Sequence, residues 1–169
     1  LGTPVTPVLT RDYTDYEQRL RRGEIAIGYQ NPVVTVRLAD VHEVLCVAVD
    51  PEGGDRFRGL VVTAHDSPIQ SLDDLRGRTI CVVGRTSAGG YLSPRLTLLR
   101  RGIAVPGDCY LLEAAGNQQE NVLFAVHAGE ADAGFIKESA LHMADRFLPP
   151  GRIRVLAEGE WLPNYALTV

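Results

Sequence analysis

The stretch Gly84-Arg85-Thr86-Ser87-Ala88-Gly89-Gly90-Tyr91-Leu92-Ser93-Pro94 decides the fold that this sequence predicts. An apolar run, Thr79–Val83, precedes it, and an amphipathic segment, Leu92–Arg101, follows it, so the pattern predicts a strand, a glycine-rich turn and a helix. The first turn of a helix carries N–H groups without acceptors and a partial positive charge. The stretch is therefore a candidate seat for an anion.

Side chains of the turn support the same interpretation. Thr86 and Ser87 offer hydroxyl donors, while Gly89 and Gly90 let the backbone approach a ligand closely. Two nucleotide-binding motifs are excluded, because no Gly-Lys-Ser/Thr follows the turn and the G-x-G-x-x-G spacing is absent. An ordinary strand-to-helix turn built from small residues is the alternative that the sequence leaves open.

Composition bounds the classes of protein to which the chain can belong. Its 169 residues suffice for one domain or two small lobes, and 45% hydrophobic with 22% charged residues is typical of a soluble globular protein. No run reaches the roughly 18 apolar residues of a membrane span. A net charge of −4 disfavours a nucleic-acid partner. The chain begins at Leu1 rather than Met, as expected of a processed or excised piece, so the missing signal peptide does not indicate the compartment.

The sequence predicts neither a metal site nor a catalytic residue. Cys46 and Cys81 stand in apolar runs and are expected to be buried and unpaired, and with Cys109 they make an odd count without zinc-ligand spacing. The four histidines are scattered over separate elements, and no G-x-S-x-G elbow is present.

Strand and helix patterns alternate along the chain, which predicts an α/β fold with largely parallel sheets. The first three predictions that matter below are a helix that starts in Thr10–Asp15 and ends at Arg21 and Arg22, a strand over Glu24–Gly28, and a short helix through Arg37. The others are a strand over Val44–Val49 covered on both faces, a helix capped by Asn117 with Glu120 as its capping box, and a helix over Lys137–Phe147.

Several motifs, in this order, resemble one family. They are Tyr13-x-x-Tyr16, Gly28-Tyr29-Gln30-Asn31-Pro32, Phe57-Arg58-Gly59-Leu60-Val61, Asp66-Ser67-Pro68-Ile69, Ser87 with Gly90–Pro94, Gln119-x-Asn121, Ala131-Asp132-Ala133-Gly134 and Trp161–Tyr165. Together they are similar to the phosphate/phosphite/phosphonate-binding proteins of ABC importers, which belong to the type 2 periplasmic binding proteins. The resemblance covers essentially the whole chain.

The resemblance implies two α/β lobes joined by hinge strands, with an oxyanion clamped between them. Lobe 1 would comprise residues 1–63, lobe 2 residues 64–156, and residues 157–169 would return across the hinge to lobe 1. The family's first β-α unit and its C-terminal helices have no counterpart in this sequence.

Site residues follow from the resemblance position by position. The family's Ser-Thr-Ser-Gly anion loop matches Ser87-Ala88-Gly89-Gly90, which keeps the first hydroxyl and the last glycine. Thr86 can replace one of the two missing hydroxyls. For Ser87 the alternative role is simple capping of the following helix.

Four further residues complete the predicted ligand site. Tyr29 matches a ligand-facing tyrosine of the family, and Gln30 follows it in the same motif. Gln118 falls near a common histidine position, and Asp132 falls near the family's acidic ligand neighbours. The alternatives are a supporting aromatic for Tyr29, solvent exposure for Gln118 and a structural salt bridge for Asp132.

The resulting prediction is a non-enzymatic solute-binding protein that holds a small phosphonate-, phosphate- or phosphite-like oxyanion for ABC import. It needs no cofactor and no metal, it does not itself span the membrane, and its partner would be a permease. It would work in the periplasm or another extracytoplasmic space, with a lipid anchor on the full-length protein as one option. Alternatives are a ligand-sensing domain that acts on a signalling output module, an enzyme of cofactor or precursor biosynthesis that uses Cys81 or Cys109, and an orphan domain that has lost its ligand.

Overall fold

The computed structural model describes residues 2, 4–11, 13–50 and 54–169. The chain divides into two compact units. Unit 1 is Leu1–Val49 with Pro163–Val169, and unit 2 is Asp50–Leu162. The lobe boundaries predicted from the sequence stay a prediction, because contacts within a chain define compact units and not the movement of lobes about a hinge.

Unit 1 is a three-stranded antiparallel sheet with two short helices. Helix α1 spans Tyr13–Arg21 and α2 spans Pro32–Arg37. Both helices end within a residue of the predicted position, and α1 begins inside the stretch that the sequence predicts to start it. The strands are β1 (Gly28–Gln30), β2 (Val44–Val47) and β10 (Ala166–Thr168), in the order β1-β10-β2.

The strand predicted over Glu24–Gly28 is wrong, because Ala26 and Ile27 form a bend and β1 begins only at Gly28. The bend turns Ile25 into the core of unit 1, where it packs with Leu20, Val34 and Leu38. Backbone pairing with β10 is available only from Gly28 onward, where Gly28 lies opposite Thr168.

Strand β2 differs from the prediction in its surroundings. It was expected to be covered on both faces, yet each of its four residues is exposed, including Cys46. The reason is its place at the edge of the sheet, where it pairs with β10 alone, while α2 packs against β1 and β10. A run of apolar residues indicates that burial of the strand would be favourable. It does not show that another element packs against the strand.

Unit 1 consequently has a small core and a large apolar surface. Its described buried cluster consists of four aliphatic side chains with Tyr16 packed against them. By contrast, Val36 is 78% exposed, Leu45 59% and Val49 73%. Apolar side chains left exposed in this way add little to the stability of a small unit, because burial of apolar area is the main favourable term in folding.

Unit 2 contains a five-stranded mixed sheet in the order β6-β5-β7-β4-β8. Its strands are β4 (Gly59–Ala64), β5 (Thr79–Val82), β6 (Tyr110–Glu113), β7 (Ala133–Lys137) and β8 (Ile153–Glu158). The helices are α3 (Ser93–Leu99), α4 (Gln119–His127) and α5 (Glu138–Met143), and short helical turns cover Asp73–Leu75, Ala88–Leu92, Ala115–Asn117 and Ala144–Arg146. Two short strands of two residues each, β3 (Arg56–Phe57) and β9 (Leu162–Pro163), form a separate two-stranded sheet.

The expectation of largely parallel sheets is only partly correct. β5 runs parallel to β6 and β7, whereas β4 is antiparallel to both β7 and β8. Connectivity explains the difference, since β4 carries the chain into unit 2 and β8 carries it back toward unit 1. Buried side chains on the two faces of this sheet form two clusters, with Leu60, Val62 and Cys81 in one and Val61 and Val82 in the other.

Trypsin digestion of the 169-residue chain tests the difference between the units. Arg21-Arg22 ends α1 in unit 1 and Arg100-Arg101 follows α3 in unit 2, and all four side chains are exposed. We expect cleavage after Arg21 or Arg22 to be about tenfold faster, because the weaker core opens more often. Mass spectrometry of the fragments over time measures both rates. Equal rates at the two Arg-Arg pairs would contradict the inference.

Candidate functional site

The glycine-rich turn, Gly84–Gly90, connects β5 to a helical segment in unit 2 and is called the anion loop below. The segment starts with a wide helical turn, Ala88–Leu92, and continues directly as α3, as the sequence predicts. Arg85 and Thr86 are exposed, Ser87 is half-buried, and Ala88–Gly90 are buried. In the first turn of such a segment the N–H groups of Ala88 and Gly89 have no carbonyl of their own helix to bind.

Ser87 caps this segment. Its Oγ accepts a hydrogen bond from the Gly90 N–H at 3.1 Å, and its backbone is extended. The cap uses a lone pair of the hydroxyl oxygen, so the hydroxyl hydrogen can still be donated to an anion. The capping role considered from the sequence is therefore present, and it is compatible with ligand binding.

The glycines of the anion loop serve packing. A Cβ on Gly90 would lie 2.5 Å from Val83 Cγ2, and a Cβ on Gly89 would lie 3.1 Å from Phe57 Cε2. In addition, a Cβ on Gly59 of β4 would lie 2.5 Å from the Gly89 carbonyl oxygen. The sequence suggested that Gly89 and Gly90 let a ligand approach the backbone. In the structure, Phe57 and Val83 lie where side chains at these two positions would be.

Three chain segments meet where the parallel strands of unit 2 end, and this edge of the sheet is called the carboxyl edge. The anion loop follows β5, the Ala115–Asn117 turn follows β6, and Lys137 ends β7. Asn117 Oδ1 lies 3.4 Å from the position of a Cβ on Gly84, and the Lys137 N–H donates to Gln119 Oε1 at 2.9 Å. The fold therefore brings the anion loop together with the start of α4.

The start of α4 differs from the predicted capping box. The helix begins at Gln119, and its cap residue, Gln118, makes no side-chain capping hydrogen bond. Gly116 and Asn117 have left-handed backbones with φ of 63° and 54°, which places Asn117 outside the helix. Glycine and asparagine tolerate this conformation best, so the chain turns there instead of entering the helix.

Gln118 lies at the carboxyl edge and is exposed, and its Oε1 accepts a long hydrogen bond from Asn121 Nδ2 at 3.5 Å. Its proposed contact with a ligand stays a prediction. The side-chain oxygen of the neighbouring Gln119 accepts a hydrogen bond from the Lys137 backbone N–H.

Asp132 lies at the opposite edge of the sheet from the anion loop. Its carboxylate accepts from the Thr79 N–H at 2.9 Å, where β5 and β7 begin, and it lies 3.8 Å from the Arg78 guanidinium. Asp132 therefore has the structural role that the sequence left as its alternative. It lies where the parallel strands begin, whereas the anion loop lies where β5 ends. We leave Asp132 out of the proposed site.

Tyr29 and Gln30 belong to unit 1. Tyr29 is 60% exposed, and its ring centroid lies 5.3 Å from that of Tyr165, so the predicted ligand contact stays a prediction. Gln30 is 1% exposed, and its Nε2 donates to Thr168 Oγ1 across the β1–β10 pair. A side chain buried in this way serves the sheet, and we leave Gln30 out of the proposed site as well.

Lys137 is a candidate that the sequence interpretation missed, because it was placed at the start of a helix. It is the single lysine in a chain with sixteen arginines. Its Cβ and Cγ lie 3.2 and 3.4 Å from the position of a Cβ on Gly89, and its Nζ lies 4.9 Å above the Phe57 ring. The sequence did contain a sign of this residue, since its one lysine directly follows the apolar strand pattern that ends at Ile136.

Arginine side chains pair with the carboxylates near the carboxyl edge. Arg85 Nε lies 3.1 Å from Glu113 Oε1, so this exposed arginine of the loop has a surface partner. Arg58 donates to Glu138 at 2.9 and 2.7 Å and also reaches Glu158. These pairs offset the negative charge that would otherwise repel an anion.

The thiols considered for an enzyme are poorly suited to nucleophilic attack. Burial raises the pKa of Cys81 to about 11, and burial also raises the pKa of Cys109, whose Sγ donates to the Leu75 carbonyl oxygen at 3.2 Å. A raised pKa lowers the thiolate fraction, and the thiolate is the reactive form. Within the part of the chain that the structure describes, no three His, Cys, Asp or Glu side chains are grouped to hold a metal ion.

Comparison with known proteins gives one family. The family described as "ABC transporter, phosphonate, periplasmic substrate-binding protein" matches residues 1–169. The phosphate-import protein PhnD of Mycolicibacterium smegmatis is 24% identical over 175 residues, which cover 95% of this chain and 54% of that protein. The chain thus spans about half the length of this curated relative. Among the described residues, none of the helices has the length and apolar content that a membrane span requires.

Solved structures show the same fold. XAC2383 from Xanthomonas citri, bound to ATP, is 25% identical with a TM-score of 0.79, over 96% of this chain and 63% of that one. A binding protein component of an ABC phosphonate transporter from Pseudomonas aeruginosa is 18% identical with a TM-score of 0.77, over 94% of this chain and 55% of that one. Such matches support the predicted α/β, two-lobed periplasmic-binding-protein type of fold.

Replacing Gly90 by alanine tests the packing of the anion loop. The new Cβ overlaps Val83, so we expect unit 2 to lose about 1–3 kcal/mol of unfolding free energy. Urea unfolding followed by circular dichroism measures the loss. Thr86→Ala in the same loop is the control and should change the free energy by less than about 0.5 kcal/mol, since Thr86 is exposed. An unchanged urea midpoint for Gly90→Ala would contradict the packing inference.

Thiol titration tests the burial of the cysteines. At about pH 8 we expect Cys46 alone to react promptly with a disulfide reagent, because Cys81 and Cys109 are buried and their raised pKa values keep them protonated. Unfolding in urea should release the other two. Prompt reaction of all three thiols in the folded chain is the contrary result.

Proposed function

Because this chain belongs to the family of periplasmic substrate-binding proteins of phosphonate ABC transporters, we propose that it holds a small oxyanion, phosphate or a phosphonate, at the anion loop of unit 2. The proteins of this family are substrate-binding components of transporters rather than enzymes. As the chain covers about half of its curated relative, the ligand and the transport role of the whole protein are part of the proposal.

The observation that carries the proposal is the convergence of donors at the carboxyl edge. The N–H groups of Ala88 and Gly89 open a helical segment, the Ser87 hydroxyl lies beside them, and the Lys137 stem packs against Gly89. Anions bind where backbone N–H groups and a helix dipole point the same way. A chain with a net charge of −4 can bind an anion in this manner without a basic surface.

The loss of two hydroxyls from the family pattern has a structural counterpart. Ala88 and Gly89 are buried, and Gly89 lies against Phe57 and Lys137. A serine at either position would bring a hydroxyl into this packed region. In our proposal the backbone N–H groups and Lys137 supply the donors that side-chain hydroxyls supply elsewhere in the family.

The partner and the compartment follow from the family. We propose that the complete protein works outside the cytoplasm and delivers its ligand to the permease of an ABC transporter. Support for both statements comes from the family description and from the phosphate-import relative.

Isothermal titration calorimetry with phosphate, phosphite, methylphosphonate, sulfate and ATP tests the proposal. We expect one of the phosphorus oxyanions to bind, and Ser87→Ala to weaken it about tenfold or more, because a hydrogen bond to a charged ligand contributes about 1.5–3 kcal/mol. ATP is included because the Xanthomonas citri structure holds it.

Ser67→Ala is the matched control for this titration. Ser67 Oγ also accepts from a backbone N–H, that of Ile69 at 3.3 Å, but it follows β4 at the edge opposite the anion loop. Its replacement should leave the affinity unchanged. No heat with any oxyanion, or equal binding by the parent and Ser87→Ala, would show that the anion loop is not the site.

A further inference from the structure

Arg58 stands between two residues that pack against the anion loop. Phe57 precedes it, and Phe57 Cε2 lies 3.1 Å from the position of a Cβ on Gly89. Gly59 follows it, and a Cβ on Gly59 would lie 2.5 Å from the Gly89 carbonyl oxygen. The loop therefore packs on residues 57 and 59, so an interaction that fixes the short segment around Arg58 also fixes the backbone at Gly89.

The guanidinium group of Arg58 uses all three of its nitrogen atoms. Nε and Nη2 donate to Glu138 Oε1 at 2.9 and 2.7 Å, and Nη1 donates to Glu158 Oε2. The Arg58 carbonyl oxygen also accepts from the Glu138 N–H at 3.1 Å. The group lies over the ring of Trp161, 4.8 Å from its centroid. The set Arg58, Glu138, Glu158 and Trp161 is called the Arg58 clamp below.

The clamp joins three elements of unit 2 that are far apart in the sequence. Arg58 comes directly before β4, Glu138 begins α5, and Glu158 ends β8. Next to it, the Gly159 N–H donates to the Gly59 carbonyl oxygen at 2.8 Å, which continues the pairing of β4 with β8. The segment of residues 57–59 is therefore held from the side of α5 and from the side of β8.

The main ion pair of the clamp is largely removed from water. The side chains of Arg58 and Glu138 are only 20% and 19% exposed. Salt screens such a pair less than a surface pair, and removal of one partner leaves a poorly solvated charge behind. An arginine fork also makes its bonds in one fixed plane, which a lysine cannot reproduce. The clamp thus fixes the direction of the Arg58 side chain as well as its distance from the carboxylates.

We propose that Arg58 is a positioning residue for the oxyanion site: the clamp holds residues 57–59 against Gly89, and this contact keeps the N–H groups of the anion loop in place. The inference rests on the proposed function of the anion loop. Arg58 acts without touching the ligand, because its three nitrogen atoms already bind carboxylates. Donors that are held in place bind an anion more tightly than donors that must be ordered on binding.

Hydrogen–deuterium exchange of the chain without ligand tests the positioning itself. In Arg58→Met we expect the amides of residues 84–92 to exchange about tenfold faster than in the parent chain, because the loop opens more often. Amides of residues 122–127 in α4 should keep their rates, since they belong to a separate part of the core. Equal acceleration in both regions would show that Arg58 only stabilises unit 2 as a whole, and no acceleration would show that the clamp does not hold the loop.

Titration with phosphate and methylphosphonate measures the effect on the ligand. We expect Arg58→Met to bind these oxyanions about tenfold more weakly than the parent chain, because ordering of the loop then opposes binding. Circular dichroism shows whether the variant is folded. Arg58→Lys is the milder change and replaces it in both measurements if Arg58→Met unfolds.

Two variants with conserved net charge separate position from charge. Arg58→Lys keeps the positive charge, and the double variant Arg58→Met/Glu138→Gln removes one charge of each sign. Both lose the fork, so both should still bind about threefold or more weakly than the parent chain. Parent affinity in either variant would show that the charge of Arg58, and not the position it fixes, is responsible.

Arg76→Met is the matched control. The Arg76 guanidinium also uses two nitrogen atoms, which donate to Asp108 Oδ2 at 2.7 Å and to the Gly102 carbonyl oxygen at 3.0 Å. Asp108 precedes β6, at the edge of the sheet opposite the anion loop. The control should leave both the exchange of the loop and the oxyanion affinity unchanged. A loss equal to that of Arg58→Met would show that the effect is not specific to the clamp.

The two proposals can fail separately. If the parent chain binds no oxyanion, the function proposed for the anion loop fails, and the role of Arg58 in ligand binding fails with it. If the parent chain binds phosphate or methylphosphonate while Arg58→Met keeps both its exchange rates and its affinity, only the inference about Arg58 is overturned.

Discussion

Close packing between the first turn of the helical segment and the sheet of unit 2 is the constraint on which the candidate site depends. Gly90 lies against Val83, and Gly59 lies against the Gly89 carbonyl, at distances that leave no room for a side chain. The absence of side chains at Gly59, Gly89 and Gly90 thus lets this turn approach its neighbours closely. The N–H groups of the anion loop are held at the carboxyl edge because the turn that carries them cannot move away from the strands beneath it.

Strand direction then determines which residues join the loop. β5, β6 and β7 are parallel, so the segments that follow them meet at one edge, and Lys137 lies there because it ends β7. Asp132 begins the same strand and lies at the other edge. Lys137, a candidate ligand contact, and Asp132, a structural carboxylate, are thus five positions apart on one strand and lie at opposite edges of the sheet.

The two units differ in how completely their sheets are covered. Unit 2 buries both faces of its central strands in two clusters, whereas the edge strand of unit 1 exposes all four of its residues. The same kind of apolar run, Val44–Val47 in one unit and Gly59–Ala64 in the other, has opposite burial. Burial therefore depends on what packs against a strand, and the strand's own composition does not decide it.

Local chemistry allowed much of this protein to be predicted from its sequence. The strand, turn and helix around Ser87, the cap itself, the α/β class and the ordered motifs of the family all depend on residues near one another in the chain. Tertiary structure alone decided the remainder. It decided the antiparallel course of β4, the burial of Gln30, the exposure of Cys46, the separation of Asp132 from the anion loop and the packing of Lys137 against Gly89 of that loop. Each of these depends on which strands become neighbours, and strand pairing joins residues far apart in the sequence, so no local pattern encodes it.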